Sequence, residues 1–344
     1  MRPNGLLRHM AKCYNDPTEL HQWTPGKHWR AHMEELMDKM RRFAILPIAM
    51  FVLAACQPAD TGDSPSEAAS ESAAASASAG GEESACASAP AGDLLATICE
   101  AGTIRVATDP AYPPQSELLP DGSFEGFDID VALRIGEELG VDVEFATPDF
   151  AEVVAGSWAE RFDISVGSVT ITEERDGVLD FTVPYYYTPA QMTATTESGI
   201  TDLDGLAGEV ICTGEATTYQ SWIEGTLTLI GAPEPAAPPE GATVTTFSTD
   251  TECADAIASG RTDFTGWLTS ITTAQAAIAE GAPFVEVGDP VFFEPLAVAT
   301  DKSAPEHTAL QAELDRIIEE MHSDGSLTAL SEEWFDGVDY TKAD

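Results

Sequence analysis

The chain has 344 residues, with 16 Lys and Arg against 59 Asp and Glu, so its formal net charge is −43 at pH 7. A surface this acidic repels phosphate backbones and anionic membranes, which argues against a protein that binds nucleic acid. Apolar residues make up 43% of the chain, enough for a substantial core, and the length allows one or two domains.

The N-terminal region resembles an export signal that follows an unrelated extension. Residues 1–39 hold four of the six histidines and show no clear hydrophobic period, so we expect a mis-called extension upstream of a true start at Met40. Residues 40–56 combine a basic Arg-Arg pair with a short apolar run, as in a signal peptide. They end in Leu-Ala-Ala-Cys, which resembles the bacterial lipobox and predicts lipidation of Cys56. The alternative is a buried thiol at the end of an apolar helix.

Residues 57–92 are rich in Ala, Ser, Gly, Glu and Pro and contain no aromatic residue. Such a segment cannot bury enough apolar surface to offset the entropy of ordering it. We therefore expect a disordered tether between a lipid anchor and a folded region that starts near Asp93.

Four cysteines follow the expected anchor: Cys86, Cys99, Cys212 and Cys253. In an exported protein, cysteines of this kind suggest disulfides. Three pairings are possible, and proximity in the sequence favours Cys86–Cys99 and Cys212–Cys253. This part of the chain has no Cys-x-x-Cys pair and no histidine cluster, so we expect neither a metal site nor a cofactor.

The first half of the folded region alternates strands and helices. Strands are predicted over 103–108, 141–145 and 162–166, and helices before 140 and over 150–159. The first helix carries Val131, Ile135 and Leu139 at i, i+4 and i+8 and should stop at Gly140. This order predicts a parallel sheet with helices on its faces, and ligands bind outside the carboxyl ends of such strands.

Residues 166–187 follow the third strand and contain a Ser/Thr-rich turn and Arg175. Ser168, Thr170 and Thr172 alternate with apolar residues, so their hydroxyls would share one side of an extended backbone. Hydroxyls and backbone N–H groups beside a guanidinium suit a carboxylate, which accepts two parallel bonds from arginine. Tyr112 also follows a strand end, so both segments should face one crevice. The alternative is a strand end, a turn and a solvated arginine.

The pattern restarts after residue 187 and predicts a second, smaller α/β lobe. Strands are predicted over 208–212, 243–247 and 263–267, a polar loop over 215–219, and helices from 221 and over 251–259. Strands over 283–287 and 291–300 should then return to the first lobe. A last helix places five apolar residues on one face: Leu310, Leu314, Ile317, Ile318 and Met321. Crossings near Pro189 and Pro290 predict a hinged cleft between a lobe of residues 93–190 and 291–344 and a lobe of residues 191–290.

Four stretches stand in the order found in the family-3 extracellular solute-binding proteins, the receptors of ABC importers for polar amino acids: IRVATDPAYPP, GFDIDVALRIGEELG, FDISVGSVTITEERDGVLDFTVPYY and DGSLTALSEEWFDG. From about residue 93 onward the chain resembles this family. The resemblance implies an α/β fold of the type II periplasmic-binding-protein class, with two lobes and a hinged cleft. It also implies a monomer on the outer face of the bacterial cytoplasmic membrane. That monomer would capture an amino acid or related small carboxylate, without catalysis or cofactor, and deliver it to an ABC permease.

The resemblance further implies roles for residues of the first lobe. Arg175 would clamp the ligand carboxylate, assisted by the backbone and hydroxyl of Thr170. Ser168 would contact the amino group. Tyr112 would wall the ligand side chain, and Asp109 would meet a polar or cationic group of the ligand.

From the second lobe, the resemblance implies that Thr217 and Thr218 close on the carboxylate. One departure from the family lies at Leu268, where the family usually places an acid that holds the ligand's ammonium group. An ammonium group left unpaired in a closed cleft would cost several kcal/mol. Either Thr269, Ser270 or another acid substitutes, or the ligand is not an ordinary α-amino acid.

Two other functions stay open. A cyclohexadienyl-dehydratase-like enzyme shares the fold and the motif order, and Glu173 or Glu174 could serve it as a general acid. A ligand-sensing domain for a membrane receptor is the other.

Single residues also have purely structural interpretations. Tyr112 could pack on the prolines that follow it, and Thr217 and Thr218 could cap the next helix. Asp109 could be a turn residue, and Trp267 fits a core position better than a cleft position.

Overall fold

Alternating buried strands and helices fill residues 85–342, the part of the chain that the computed structural model describes. The strands are β1 (Thr103–Ala107), β2 (Ala111–Tyr112), β3 (Ser116–Leu118), β4 (Phe124–Glu125), β5 (Asp142–Ala146), β6 (Ile164–Thr170), β7 (Leu179–Phe181), β8 (Tyr186–Thr195), β9 (Val210–Gly214), β10 (Thr243–Phe247), β11 (Gly266–Ser270), β12 (Phe284–Glu286) and β13 (Phe292–Asp301). The helices are α1 (Ala85–Ser88), α2 (Leu94–Ala101), α3 (Phe127–Leu139), α4 (Phe150–Val154), α5 (Glu173–Asp176), α6 (Thr218–Ile223), α7 (Thr251–Ala258), α8 (Ile271–Glu280), α9 (Thr308–Asp324) and α10 (Ser326–Trp334), with a 3₁₀ turn at Leu203–Leu206.

Ten strands form one sheet in the order β10-β9-β11-β8-β13-β6-β1-β5, with β12 beside β8 and β7 beside β13. β5, β1 and β6 run parallel at one end, and β10, β9 and β11 run parallel at the other. Between them, the long strands β8 and β13 pair antiparallel, with Phe292 opposite Ala190 and Leu296 opposite Tyr186. These two strands connect two α/β lobes, which confirms the fold class expected from the sequence.

Each lobe has its own apolar core, and local spacing predicts the helices that cover it. Helix α3 buries Val131, Ile135 and Leu139 and ends at Gly140, whose φ of +73° suits a residue without Cβ. Helix α9 buries the five apolar residues predicted for it. In the second lobe, Met192 and Trp222 belong to a separate cluster.

Two helices differ from the sequence-based predictions. The helix expected over 150–159 ends at Val154, because the chain turns through positive φ at Gly156 and Ser157. Helix α8 is not predicted by the sequence pattern, and it begins where the Ser270 hydroxyl accepts the Thr273 N–H. Local capping and turns set both boundaries.

Two segments of the second lobe also differ from the predictions. The polar loop expected over 215–219 is shorter, since α6 begins at Thr218. Strand β12 does not return to the first lobe: Phe284 pairs with Thr195 of β8, so β12 extends the sheet of the second lobe. Only β13 makes the second crossing, because its ten residues pair with both β8 and β6.

The folded region begins before Asp93, where composition places the end of the tether. Helix α1 forms one turn, and Ala85 and Ala89 pack against the core of the first lobe. A disulfide from Cys86 to Cys99 holds this segment against α2. The low apolar content of this segment predicts disorder, but the Cys86–Cys99 disulfide supplies a tertiary contact that composition does not show.

The second disulfide, Cys212–Cys253, joins β9 to α7. Both disulfides are the pairs that sequence proximity favours. The expected extension over 1–39, the signal peptide over 40–56 with Cys56, and residues 57–84 of the tether lie outside the described residues. Within residues 85–342, no helix has the length and apolar content needed to cross a membrane.

Candidate functional site

A cavity lies between the lobes, with about 420 Å³ of empty space, part of it open to solvent. All seven residues expected to bind ligand line it: Asp109, Tyr112, Ser168, Thr170, Arg175, Thr217 and Thr218. They come from segments at or just beyond the carboxyl ends of β1, β6 and β9. Residues of different lobes therefore meet where a parallel sheet is expected to hold its ligand.

Arg175 is buried at the cavity wall, with 6% of its surface exposed. Helix α5 positions it, and the Thr172 hydroxyl caps that helix by accepting the Arg175 N–H at 3.2 Å. Its Nη1 donates to the Thr170 carbonyl at 3.1 Å, and its Nη2 donates to the Ala216 carbonyl at 3.0 Å. Burial lowers the pKa of Arg175 to about 10, so the group stays cationic at neutral pH. Its two bonds to carbonyls join it to both lobes.

Ser168 departs from the period-two pattern predicted for its strand. Its φ is +55°, and the register of β6 against β13 shifts in this region. Its hydroxyl donates to Asp128 Oδ2 at 2.7 Å and lies 2.6 Å from the Tyr186 hydroxyl. The Thr170 hydroxyl donates instead to Glu294 at 2.8 Å. The two hydroxyls therefore bond to different carboxylates, although both residues line the cavity.

Asp128 lies behind the cavity wall and receives a second bond, from the Tyr185 hydroxyl at 2.8 Å. Burial raises the pKa of Asp128 to about 7, while the Ser168 and Tyr185 hydroxyls favour its charged form. This carboxylate fixes the Ser168 hydroxyl, and the Ser168 N–H donates to the Tyr185 hydroxyl at 3.2 Å.

Glu294 is a buried carboxylate of the cavity that sequence reasoning missed. It lies on β13, and its Oε1 accepts the hydroxyls of Thr170 and Thr218. Its Oε2 accepts the Tyr219 hydroxyl at 2.7 Å. Burial raises its pKa, and the three hydroxyls oppose that shift. The one signal in the sequence is an acid inside an apolar strand, where an unpaired charge would be costly.

Asp250 is a second buried acid of the cavity that sequence reasoning missed. Its Oδ1 accepts the Gly214 N–H, and its Oδ2 accepts the Thr269 hydroxyl at 3.1 Å. A Cβ at position 214 would lie 2.7 Å from this Oδ1, so the contact requires glycine. Burial raises the pKa of Asp250 to about 7. Asp250 precedes α7 in the ordinary N-cap position but makes no capping bond, so its sequence context gives no signal.

Leu268 is fully buried in the second-lobe cluster that includes Met192, and it does not line the cavity. The two hydroxyls considered as substitutes for the missing acid are also engaged elsewhere. Thr269 donates to Asp250, and Ser270 caps α8. Among the substitutes considered from the sequence, only another acid reaches the cavity.

The remaining expected residues combine structural and site positions. The Tyr112 hydroxyl lies 3.0 Å from the Tyr219 hydroxyl. Asp109 accepts the Ala111 N–H at 2.7 Å, as a turn residue does, and burial raises its pKa. Thr217 caps α6. The structural and functional interpretations of these residues are therefore compatible.

Glu173 and Glu174, the acids considered for an enzymatic role, are exposed on α5. Neither belongs to the described residues that line the cavity. Neither glutamate is therefore positioned in the cavity to act as a general acid.

The lobes contact each other around the cavity. Gln115 of the first lobe donates to the Thr272 hydroxyl at 2.7 Å, and Thr251 of the second lobe donates to the Ala111 carbonyl at 2.9 Å. Together with the bond from Arg175 to Ala216, these contacts hold the cleft closed.

Comparison with known proteins agrees with this geometry. The L-cystine-binding protein TcyJ of Escherichia coli strain K12 is 28% identical over 252 residues, which cover 72% of this chain and 88% of that protein. Among solved structures, an ancestral arginine-binding protein bound to arginine has 27% identity and a TM-score of 0.58, covering 68% of this chain and 98% of that one.

A second solved structure, an ancestral amino acid-binding protein described as a precursor of cyclohexadienyl dehydratase, has 27% identity and a TM-score of 0.60. It covers 71% of this chain and 100% of that chain. Residues 104–337, which include every residue of the cavity, match the bacterial extracellular solute-binding proteins of family 3. The chain belongs to this family.

Proposed function

We propose that this chain is the substrate-binding component of an ABC importer, which captures an amino acid in its cleft and delivers it to a membrane permease. The observation that carries the proposal is the cavity, where Arg175 of the first lobe and Thr217 and Thr218 of the second line one space. A guanidinium can hold a carboxylate through two charge-assisted bonds. Relatives named for binding cystine or arginine support the ligand class.

Hinge closure provides the mechanism. A ligand enters the open cleft, and the lobes close on it by bending β8 and β13, the two strands that connect them. Closure is driven only by contacts that are stronger in the closed state. A micromolar affinity needs about −8 kcal/mol, and each charge-assisted bond to Arg175 contributes roughly 1.5–3 kcal/mol.

The residues take the following roles in this proposal. Arg175 and Thr170 hold the carboxylate from the first lobe, and Thr217 and Thr218 close on it from the second. Ser168 meets the amino group through its backbone carbonyl, because its hydroxyl donates to Asp128 and its N–H donates to the Tyr185 hydroxyl. Tyr112 walls the side chain of the ligand. Asp109 meets a polar or cationic group on that side chain. It also borders a neighbouring cavity, into which a long side chain would extend.

The proposal extends to the cell surface. We infer that residues 40–56 direct export and that a lipid on Cys56 anchors the protein to the outer face of the bacterial cytoplasmic membrane. The tether then lets a monomer reach its permease. We infer one lobe of residues 93–190 with 291–344 and one of residues 191–290. Ala190, Val291 and Phe292, at the edges of the first-lobe ranges, pack in the second-lobe cluster, so the crossings lie slightly inside those ranges.

Calorimetric titration of the purified full chain with the twenty L-amino acids tests the proposal. At least one is expected to bind and to raise the melting temperature. Arg175→Ala should weaken its binding by roughly 10- to 100-fold, because charge-assisted bonds are lost. Arg316→Ala is the matched control: this arginine bridges Glu313 and Glu320 on the exposed face of α9, so its loss should leave affinity unchanged. Failure of all twenty amino acids to bind, or wild-type affinity in Arg175→Ala, would reject the proposal.

A further inference from the structure

The cavity contains an excess of acids, two of which are buried. Asp109, Asp250 and Glu294 line it, and Arg175 is the one cation among its described lining residues. When the carboxylate of a ligand binds Arg175, the described lining residues offer no other cation to balance these acids. Buried carboxylates without a compensating charge are costly. A positively charged group on the ligand would offset this cost at one of them.

The acid that meets an α-amino group has to lie beside the carboxylate clamp, because both groups of an α-amino acid are on one carbon. Thr170 links Glu294 to Arg175: its carbonyl accepts Arg175 Nη1 at 3.1 Å, and its hydroxyl donates to Glu294 at 2.8 Å. Among the charged groups around Arg175, Glu294 raises its pKa the most. The same residue that supports the clamp therefore orients this acid.

Asp250 is placed differently. Its oxygens accept bonds from Gly214 and Thr269 of the second lobe, and the charged groups that act on it are Asp109 and Glu294. None of the bonds that Asp250 accepts involves Arg175 or Thr170, so Asp250 lacks the link to the clamp that Glu294 has through Thr170. Asp109 and Asp250 thus remain for the side chain of the ligand.

Glu294 also has the capacity for one more bond. An ionised carboxylate offers about four acceptor sites, and hydroxyls of Thr170, Thr218 and Tyr219 use three of them. Thr170 belongs to the first lobe and the other two belong to the second. The Glu294 carboxylate therefore receives all three hydroxyl bonds only when the lobes are closed, which is when a ligand has to be held.

We propose that Glu294 accepts the amino group of the ligand and thereby replaces the acid that is missing at Leu268. The inference rests on the proposed function. Leu268 is on β11 and points into the second-lobe core, whereas Glu294 reaches the cavity from β13. The negative charge for the amino group is thus supplied by a different strand, the one that connects the lobes.

The test compares each variant's affinity for an amino acid and for the same compound with hydrogen in place of the amino group. The pair used is the tightest of the twenty L-amino acids and its analogue; for L-arginine the analogue is 5-guanidinopentanoate. The wild-type chain should prefer the amino acid by roughly 10- to 100-fold, the range for a charge-assisted bond. In Glu294→Gln this preference should fall close to one. Asp250→Asn is the matched control, since it neutralises another buried acid and should keep the preference.

A preference that persists in Glu294→Gln, or that disappears instead in Asp250→Asn, overturns the inference while the proposed function stands. Absence of any amino-acid binding to the wild-type chain overturns both. If Glu294→Gln does not fold, Glu294→Asp replaces it, because this change keeps the charge but withdraws it by one methylene. A reduced preference in Glu294→Asp supports the inference, and an unchanged one overturns it.

Discussion

The Tyr112 hydroxyl lies 3.0 Å from the Tyr219 hydroxyl, so two phenols join the lobes across the cavity. Tyr219 has one hydroxyl proton, which it donates to Glu294 at 2.7 Å. Tyr112 must therefore be the donor to Tyr219. The resulting chain of donors runs from the first lobe through the second lobe to the connecting strand β13, and it is complete only in the closed state.

Removing either phenol hydroxyl should weaken ligand binding. Tyr112→Phe removes one neutral hydrogen bond, with a net value of about 0.5–1.5 kcal/mol, so affinity should fall roughly 2- to 10-fold. Tyr219→Phe should cost more, because Glu294 then loses a donor as well. Calorimetric titration of both variants and the double variant checks this. The double variant should be little weaker than Tyr219→Phe alone, and additive losses would contradict the donor chain.

The buried Asp128 should make the stability of the ligand-free protein depend on pH. Burial raises its pKa from 3.8 to about 7, so between these values the folded chain keeps a proton that the unfolded chain has released. Asp128 should therefore make the free energy of unfolding fall as pH rises through this range, and its own contribution is at most about 1.4 kcal/mol per pH unit. Denaturant titrations at pH 5, 6 and 7 measure the slope.

Asp128→Asn is neutral at every pH and should make this slope shallower, while Asp250, whose pKa burial also raises to about 7, keeps its own contribution. Asp142→Asn, which neutralises an exposed acid at the start of β5, should keep the wild-type slope. An identical slope in Asp128→Asn and the wild type would show that Asp128 is charged throughout the range.

The two disulfides should differ in their effect on binding. Cys212–Cys253 spans 41 residues and Cys86–Cys99 spans 13. Chain entropy then predicts stabilisation of about 4 and about 3 kcal/mol. The paired Cys→Ala changes at Cys212 and Cys253 should also weaken ligand affinity, because that disulfide joins the segments that bring Gly214 against Asp250. The pair at Cys86 and Cys99 is the control and should lower stability alone. Denaturant titration and calorimetry separate the two effects, and equal affinities in both variants would contradict the expectation.

Local sequence determined the parts of this protein that depend on local interactions. The spacing of Val131, Ile135 and Leu139 predicts the buried face of α3, and Gly140 predicts its end, because both follow from the helical period and a left-handed cap. The strand expected over 243–247 is β10 with the same bounds. Motif order predicted the fold and the family, and it located Arg175 because a lone arginine after a Ser/Thr-rich strand end is a recognisable pattern.

Only the tertiary structure decided which groups meet in the cavity. Ser168 turns its hydroxyl to Asp128 because its φ is +55°, and no local pattern fixes that angle. Asp250 and Glu294 belong to segments that read as a helix start and an apolar strand, and they reach one space only through long-range strand pairing. The sequence therefore shows that an acid is missing at Leu268. Which acid replaces it depends on contacts between residues far apart in the chain, which no local period encodes.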